Sequence, residues 1–408
     1  FVNEVLAKLE KDYGKEFVHF GGLKIFTTLD TRYQQFALRG ARNHLEALQG
    51  KVKKETGSMK LQVALVAIEN KSGAVKALLG GRNYSHSQFN RAVSNNRLPG
   101  SSFKPFVYLT AMETLGLSPA TVIVDEPVTI EIPGSNSWEP QNFDKEFAGS
   151  IVLKKALLKS INVVSAKLMQ QVGPEKVIRT ARKFGIKSPL GKNLSLALGT
   201  SGVAPLEIAS AYSVIANLGI YNEPYLIQQI EDFQGNRLYE HYYQGVQQFS
   251  PDTLYPLLDM MQGVVERGTG RIIRRMGFKH PAAGKTGTTN DFKDAWFNGF
   301  TKDISASVWV GYDDNDSMRT KSGRGLTGAS AAAPIWVHFM QKALAGKTRV
   351  KFPVPENIKF ATVDVETGRF PGEFSLEKIQ VAVKEDVDLS PLPIEDTELE
   401  GETELLQE

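Results

Sequence analysis

The sequence predicts an α+β fold: one antiparallel five-stranded sheet flanked by helices, with a helical insert as a second lobe. Three observations predict it. Two strand-like segments lie early, at 61–69 and 74–79, and three lie late, at 284–288, 295–300 and 305–310. The long stretch between them, 101–280, is mostly helical in its periodicity. Strands from both ends of a chain that share one sheet leave the helices between them as a separate lobe, with a cleft at the sheet edge.

In chain order, residues 1–16 show a helical pattern with Val5, Leu6, Leu9 and Tyr13 on one side, ended by Gly21-Gly22. A short strand at 23–29 and a helix at 32–48 follow, then a Lys-rich linker at 51–57. Residues 1–60 read as a pedestal before the main unit at 61–350. The turn Asn70-Lys71-Ser72-Gly73 closes the first hairpin. Helices are expected at 103–115, where Pro105 is tolerated in the first turn, and at 152–160, 175–184, 206–218 and 254–266. Thr301-Lys302-Asp303 suits a turn between the last two strands, and a small-residue helix at 329–345 would pack on the sheet. An extension at 351–384 holds two short strands, 360–365 and 379–383, before an acidic tail at 385–408 whose composition suits disorder.

Composition narrows the class. The 408 residues, 41% hydrophobic and 23% charged, suit a globular chain with room for more than one folded unit. The net charge is +3, but ten acidic residues from Glu385 onward, with no Lys or Arg among them, leave the first 384 residues thirteen charges positive. Such a body suits an anionic polymer or membrane surface, and equally a solvated surface balanced by its tail. The absence of cysteine excludes disulfides, thiolate catalysis and the usual zinc sites. No apolar run approaches the ~20 residues that span a bilayer. The start at Phe1, without Met, reads as a soluble fragment or processed form, from whose N-terminal side a membrane anchor could have been lost.

Three short motifs stand in a fixed order: Ser101-Ser102-Phe103-Lys104 (S-x-x-K), Ser160-Ile161-Asn162 (S-x-N) and Lys285-Thr286-Gly287 (K-[ST]-G). Each is weak alone, since 375–378, 94–96, 71–73 and 321–323 match the same patterns. Context separates them. Ser375 has no partner motif after it, 71–73 is a hairpin turn preceding every candidate serine, and 321–323 lies in a Gly-rich loop.

A serine opening a helix feels the positive end of the helix dipole, and Lys104 returns to the same face one turn later. A hydroxyl is a poor nucleophile until its proton is removed, and lysine removes it only when burial or a second cation lowers its pKa. Lys285 is the candidate for that cation. An N-cap role would explain Ser101 but not Lys104. Ser160 and Asn162 are expected to end a helix and enter a loop, where the hydroxyl relays a proton and the amide holds Lys104 or the substrate. A polar helix terminus accounts for the same residues. Residues 285–288 read as an edge strand whose Gly287 admits a close backbone, as when a peptide adds itself as an extra strand. Thr286, Thr288 and the following Thr289 suit a substrate carboxylate near Lys285, and the N–H groups of Ser101 and Thr288 suit an oxyanion hole. The six histidines have no ligand spacing, and phosphate-loop and dinucleotide fingerprints are missing, so no metal, cofactor or nucleic acid is expected. Gly268-Thr269-Gly270 reads as a helix terminator.

With these motifs the sequence resembles the class A, bifunctional penicillin-binding proteins over their C-terminal transpeptidase half. The likeness includes residues 97–105, Trp138-Glu139-Pro140-Gln141-Asn142, 267–271, 284–290, 294–297 and 309–313, and runs from about residue 20 to 350. The resemblance implies the fold shared by serine β-lactamases and penicillin-binding transpeptidases. It implies that Ser101 attacks the penultimate D-alanine of a peptidoglycan stem peptide, with Lys104 as base, Ser160 as relay and Asn162 as a positioning group. Lys285, Thr286 and Thr288 would bind the carboxylate, a second stem peptide would supply the amine, and β-lactams would acylate the serine. Location at the outer, periplasmic face of the bacterial cytoplasmic membrane, beside other cell-wall synthesis proteins, follows from the same likeness. Relatives also carry a glycosyltransferase domain, whose activity is not expected in residues 1–60. A D-alanyl-D-alanine carboxypeptidase, a β-lactamase and a non-catalytic β-lactam sensor are the rivals. The class A β-lactamase needs a deacylating glutamate, and Glu207 falls in an apolar helix.

Overall fold

The computed structural model describes residues 1–53, 60–132 and 136–390; most of the Lys-rich linker and of the acidic tail lies outside the described residues. Five strands form the central sheet: β1 (Gln62–Glu69), β2 (Val75–Leu79), β3 (Ala283–Thr288), β4 (Asp294–Phe300) and β5 (Ile304–Gly311). All pairings are antiparallel, in the order β3-β4-β5-β1-β2. The two ends of the chain meet where β5 pairs with β1, Val308 opposite Leu65. Side chains alternate across a strand, so Val63, Leu65 and Ala67 enter one core while Ala64, Val66 and Ile68 enter another. Both faces are covered, which is why β1 is apolar throughout rather than alternating.

The helix Thr31–Gln49, grouped from sequence with the pedestal, instead covers this sheet together with the helix Ala333–Ala343. Its Tyr33, Ala37, Ala41, Leu45 and Leu48 recur at helical spacing and are buried in the same core as β1 and β5. Helix Pro205–Ala216 covers the opposite face.

The N-terminal helix stops earlier than the glycine pair predicts. It runs Val2–Tyr13 and breaks at Gly14, φ +81°, before a second short helix Lys15–Phe20. Strand Lys24–Thr27 pairs with Ile227–Glu231, which pairs with Arg237–Glu240. The small N-terminal sheet is thus completed from within the insert, where the sequence reading had only helices and loops. The other lobe gathers helices Lys104–Leu115, Leu153–Lys159, Asn162–Val172, Pro174–Lys183 and Pro251–Glu266 into one core. The C-terminal hairpin Ile358–Asp364/Lys378–Lys384 joins that core through Val363, Val381 and Val383. Asp259 fastens it, accepting from Lys154 Nζ at 2.6 Å and from Ala382 N at 3.0 Å.

Candidate active site

The nucleophile segment is a 3-10 turn, Gly100–Phe103, that runs directly into the helix Lys104–Leu115, with Pro105 in its first turn where no N–H is needed. Gly100 has φ +55°, and a Cβ there would stand 2.9 Å from Thr288 O, so the turn lies against the end of β3. The preceding residues are clamped. Trp296 Nε1 donates to Leu98 O at 2.8 Å, Val203 N to Arg97 O at 3.0 Å, and the Tyr212 hydroxyl to Ser102 O at 2.8 Å. Arg97 stacks 4.6 Å over the Trp309 ring and lies 4.0 Å from Asp294, which accepts Trp309 Nε1 at 2.8 Å. Three stretches far apart in sequence thereby make one buried cluster beneath the serine turn. Burial pushes the Asp294 carboxyl up, while Trp309 and Arg97 act in the opposite direction.

Lys104 is fully buried and turns toward the S-x-N pair. Its Nζ donates to Ser160 O at 2.6 Å, Asn162 Oδ1 at 2.7 Å and Ile161 O at 3.0 Å, with Ser160 Oγ at 3.4 Å. Lys285, also fully buried, donates to Ser160 Oγ at 2.7 Å and Thr286 O at 3.2 Å. Ser160 Oγ therefore stands between two amines. Burial, and then the charge of Lys285, hold Lys104 well below the usual lysine range; burial lowers Lys285 to about 7. No hydrogen bond joins Lys104 Nζ to Ser101 Oγ, and the serine hydroxyl opens onto the cleft.

Ser160 and Asn162 do not lead into a loop. Ser160 is the left-handed cap (φ +61°) of helix Leu153–Lys159, and Asn162 is the first residue of the next helix, Asn162–Val172. Two residues join the helices, left-handed Ser160 and extended Ile161, and this short link sets where the S-x-N side chains leave the backbone.

β3 is the sheet edge, as the sequence suggested. The bond from Thr289 N to Asp294 O at 3.1 Å sets the phase of the β3–β4 ladder. Alternation then turns the N–H and C=O groups of Thr286 and Thr288 away from β4, toward the serine turn. Gly287 differs from expectation. Its missing side chain makes room for the chain's own serine segment rather than for a substrate strand. A Cβ there would collide with Pro99 O and lie 2.5 Å from Ser102 Oγ. Thr289 is turned to Asp294, accepting its N–H at 2.9 Å. Thr288 Oγ1 accepts from Gly328 N at 3.0 Å, and Thr286 Oγ1 shares a 2.7 Å hydrogen bond with Thr269 Oγ1.

Ser101, Ser160, Asn162, Thr286, Thr288 and Thr289 line one cleft of about 1610 Å³ between the sheet edge and the helical lobe, while Lys104 and Lys285 are buried against Ser160. Phe143 and Phe292 also line this cleft; their rings meet edge-on, centroids 5.9 Å apart.

Two residues at this site were not singled out from sequence. Thr269 belongs to a helix terminator and to the recognised stretch 267–271 without an assigned part, although a small hydroxyl residue between two glycines is the available signal. Asn142 belongs to a recognised stretch without an assigned part; it accepts from Asn162 N at 3.0 Å and Val163 N at 3.2 Å. Glu207 is remote in function: its carboxylate accepts from Lys187 N and Ser188 N, both at 2.9 Å, and from the Ser188 hydroxyl.

An edge strand bearing Lys-Thr-Gly lies against the turn and helix that carry Ser-x-x-Lys, a pairing of motifs shared by class A β-lactamases and penicillin-binding proteins. Residues 63–340 match the family described as the penicillin binding protein transpeptidase domain, and the chain belongs to that family. It is 41% identical over 307 residues to penicillin-binding protein 1A of Neisseria gonorrhoeae, covering 73% of this chain and 38% of that protein. With penicillin-binding protein 1A of Pseudomonas aeruginosa it shares 36% over 361 residues, covering 76% and 43%. The chain thus spans about two fifths of the length of these relatives. Among solved structures, PonA1 of Mycobacterium tuberculosis superposes with TM-score 0.75 at 27% identity, covering 86% of this chain and 93% of that one. Penicillin-binding protein 1A of Haemophilus influenzae shares the fold, TM-score 0.82 at 24% identity, over 93% of this chain and 75% of that one.

Proposed function

We propose that this chain is a D,D-transpeptidase unit that cross-links peptidoglycan through an acyl-enzyme on Ser101 and is acylated there by β-lactams. The observation that carries this reading is the convergence of two buried lysines of lowered basicity on Ser160, beside the cleft onto which Ser101 opens. Ser101 Oγ attacks the penultimate D-alanine carbonyl of a donor stem peptide and passes its proton to Lys104. The oxygens of Ser160, Ile161 and Asn162, all within 3.0 Å of Nζ, stabilise the positive charge that Lys104 acquires. The N–H groups of Ser101 and Thr288 hold the oxyanion. Ser160 hands the proton to the departing D-alanine amine, and an amine of the acceptor stem then attacks the ester, losing its proton by the reverse route. Thr286 and Thr288, near the Lys285 charge, hold the donor carboxylate.

A relative supports the β-lactam part of the reading: PonA1 has been solved in complex with penicillin V. The capping role of Glu207 favours a transferase over a β-lactamase, because this carboxylate is spent on backbone N–H groups. The proposed substrates and the class A likeness support a location of the whole protein at the periplasmic face of the cytoplasmic membrane, beside wall-synthesis partners. Among the described residues, no helix is long and apolar enough to cross a membrane. The test is a mixture of a D-Ala-D-Ala stem peptide and an amine acceptor, analysed by chromatography. Cross-linked product that disappears in Ser101→Ala and Lys104→Ala is expected. Release of D-alanine without cross-linking makes the unit a carboxypeptidase, and no release at all rejects the reading.

A further inference from the structure

We infer that Asn142, held by the buried carboxylate of Asp125, is a positioning residue for Lys104 that acts by capping the Asn162–Val172 helix from outside. This inference rests on Lys104 as the base for Ser101.

The helix that carries Asn162 has no cap of its own. The residue before it is Ile161, whose side chain has no acceptor, and Ser160 is occupied between the two lysines. The first N–H groups of a helix need an acceptor when they are shielded from water. Asn142 Oδ1, twenty residues upstream, supplies it to both Asn162 N and Val163 N. The neighbouring Gln141 O takes the Asn162 side-chain amide at 2.9 Å, which turns Asn162 Oδ1 toward Lys104 Nζ, 2.7 Å away. Residues 141–142 therefore fix the backbone, the side-chain rotation and the acceptor atom of Asn162 together.

Asn142 is fixed in turn. It is 6% exposed, and its Nδ2 donates to Asp125 Oδ1 at 2.9 Å, Asp125 Oδ2 at 3.0 Å and Glu146 O at 2.9 Å. Asp125, 1% exposed, also accepts Ala148 N at 2.8 Å and lies on a strand, Val122–Asp125, paired with Gly149–Val152. The strand Gly149–Val152 leads directly into helix Leu153–Lys159, which ends at Ser160. One rigid frame thus holds both Ser160 and Asn162. Position 142 needs an amide: the side chain must accept from two N–H groups on one side and donate to a carboxylate on the other.

The test measures acylation by a fluorescent penicillin, separating the binding constant Kd from the first-order acylation rate, alongside thermal melting. Asn142→Ala is expected to lower the acylation rate about 10- to 100-fold with Kd little changed, the size of effect a shift near 1 Å produces. Asn142→Asp sets two carboxylates together and should be at least as slow. The exchanged pair Asp125→Asn with Asn142→Asp restores a donor on one residue and an acceptor on the other, and should recover at least tenfold over Asn142→Asp. It also keeps the question answerable if the single variants do not fold. Folded variants that melt earlier but acylate at the wild-type rate would overturn the inference, as would an exchanged pair that folds and stays as slow as Asn142→Asp. A wild-type protein that forms no adduct at Ser101 overturns the reading of Ser101 itself, a separate and recognisable result.

Discussion

The contact between Gly287 and the serine turn sets the width of the site, and Gly287→Ala perturbs it with a single methyl group. An added Cβ would fall 2.5 Å from Ser102 Oγ, 3.0 Å from Trp296 Cβ and closer still to Pro99 O, all at or below the shortest approach real Cβ atoms make. Ser102 Oγ is a buried hydroxyl without a hydrogen-bond partner, so no bond is lost when it turns. Pro99 O is held. It is backbone, it accepts Ser102 N at 3.2 Å, and its neighbour Leu98 O is tied to Trp296. The strand and the turn must therefore separate. Overpacking of this kind costs about 1–3 kcal/mol of stability. The separation also moves the Thr288 N–H, the proposed oxyanion donor, relative to Ser101, and losing one such donor costs roughly 10²–10³ in rate. The expected outcome is a melting temperature a few degrees lower and a penicillin acylation rate at least about a hundredfold lower. Ser102→Ala added to Gly287→Ala should restore only a minor part of either. A Gly287→Ala protein that acylates at the wild-type rate would refute the argument that this glycine serves the contact between strand and serine turn.

Buried Lys285 titrates near 7, whereas a lysine in an unfolded chain titrates near 10.5. Between those values the unfolded chain binds the extra proton, so stability rises with pH from about 7 to 10.5, by up to ~1.4 kcal/mol per unit for this one proton. Below pH 7 the full cost of burying the charge is felt. Chemical denaturation of Lys285→Met across this range should show a shallower rise than wild type; parallel curves would contradict the burial argument. Thr269→Val removes one hydroxyl of the Thr269–Thr286 pair. A net hydrogen bond is worth about 1 kcal/mol, so penicillin binding before acylation should weaken about fivefold, with the acylation rate nearly unchanged.

The parts of the fold legible in the sequence are those encoded locally. β1 announced itself by an unbroken apolar run, because both faces of the sheet are covered, and β5 by its alternation over 305–310. The motif order located the cleft. What escaped depends on residues far apart in the chain. Helix Asn162–Val172 was missed because its cap comes from Asn142 and only Ser160 and Ile161 separate it from the previous helix. Helix Thr31–Gln49 showed its apolar stripe, but nothing local says which surface receives it, and the sheet that does is completed after residue 283. Gly287 illustrates the same limit more finely. Its sequence context signalled the close approach of a backbone without saying whose, and the partner turned out to be Pro99 of the same chain.

The most direct test of the central claim is intact mass after addition of a penicillin, followed over time, with Ser101→Ala alongside. The account predicts one adduct per chain, stable for many minutes in the wild type and absent in the variant. No adduct on folded wild-type protein, or an adduct that persists without Ser101, would contradict it.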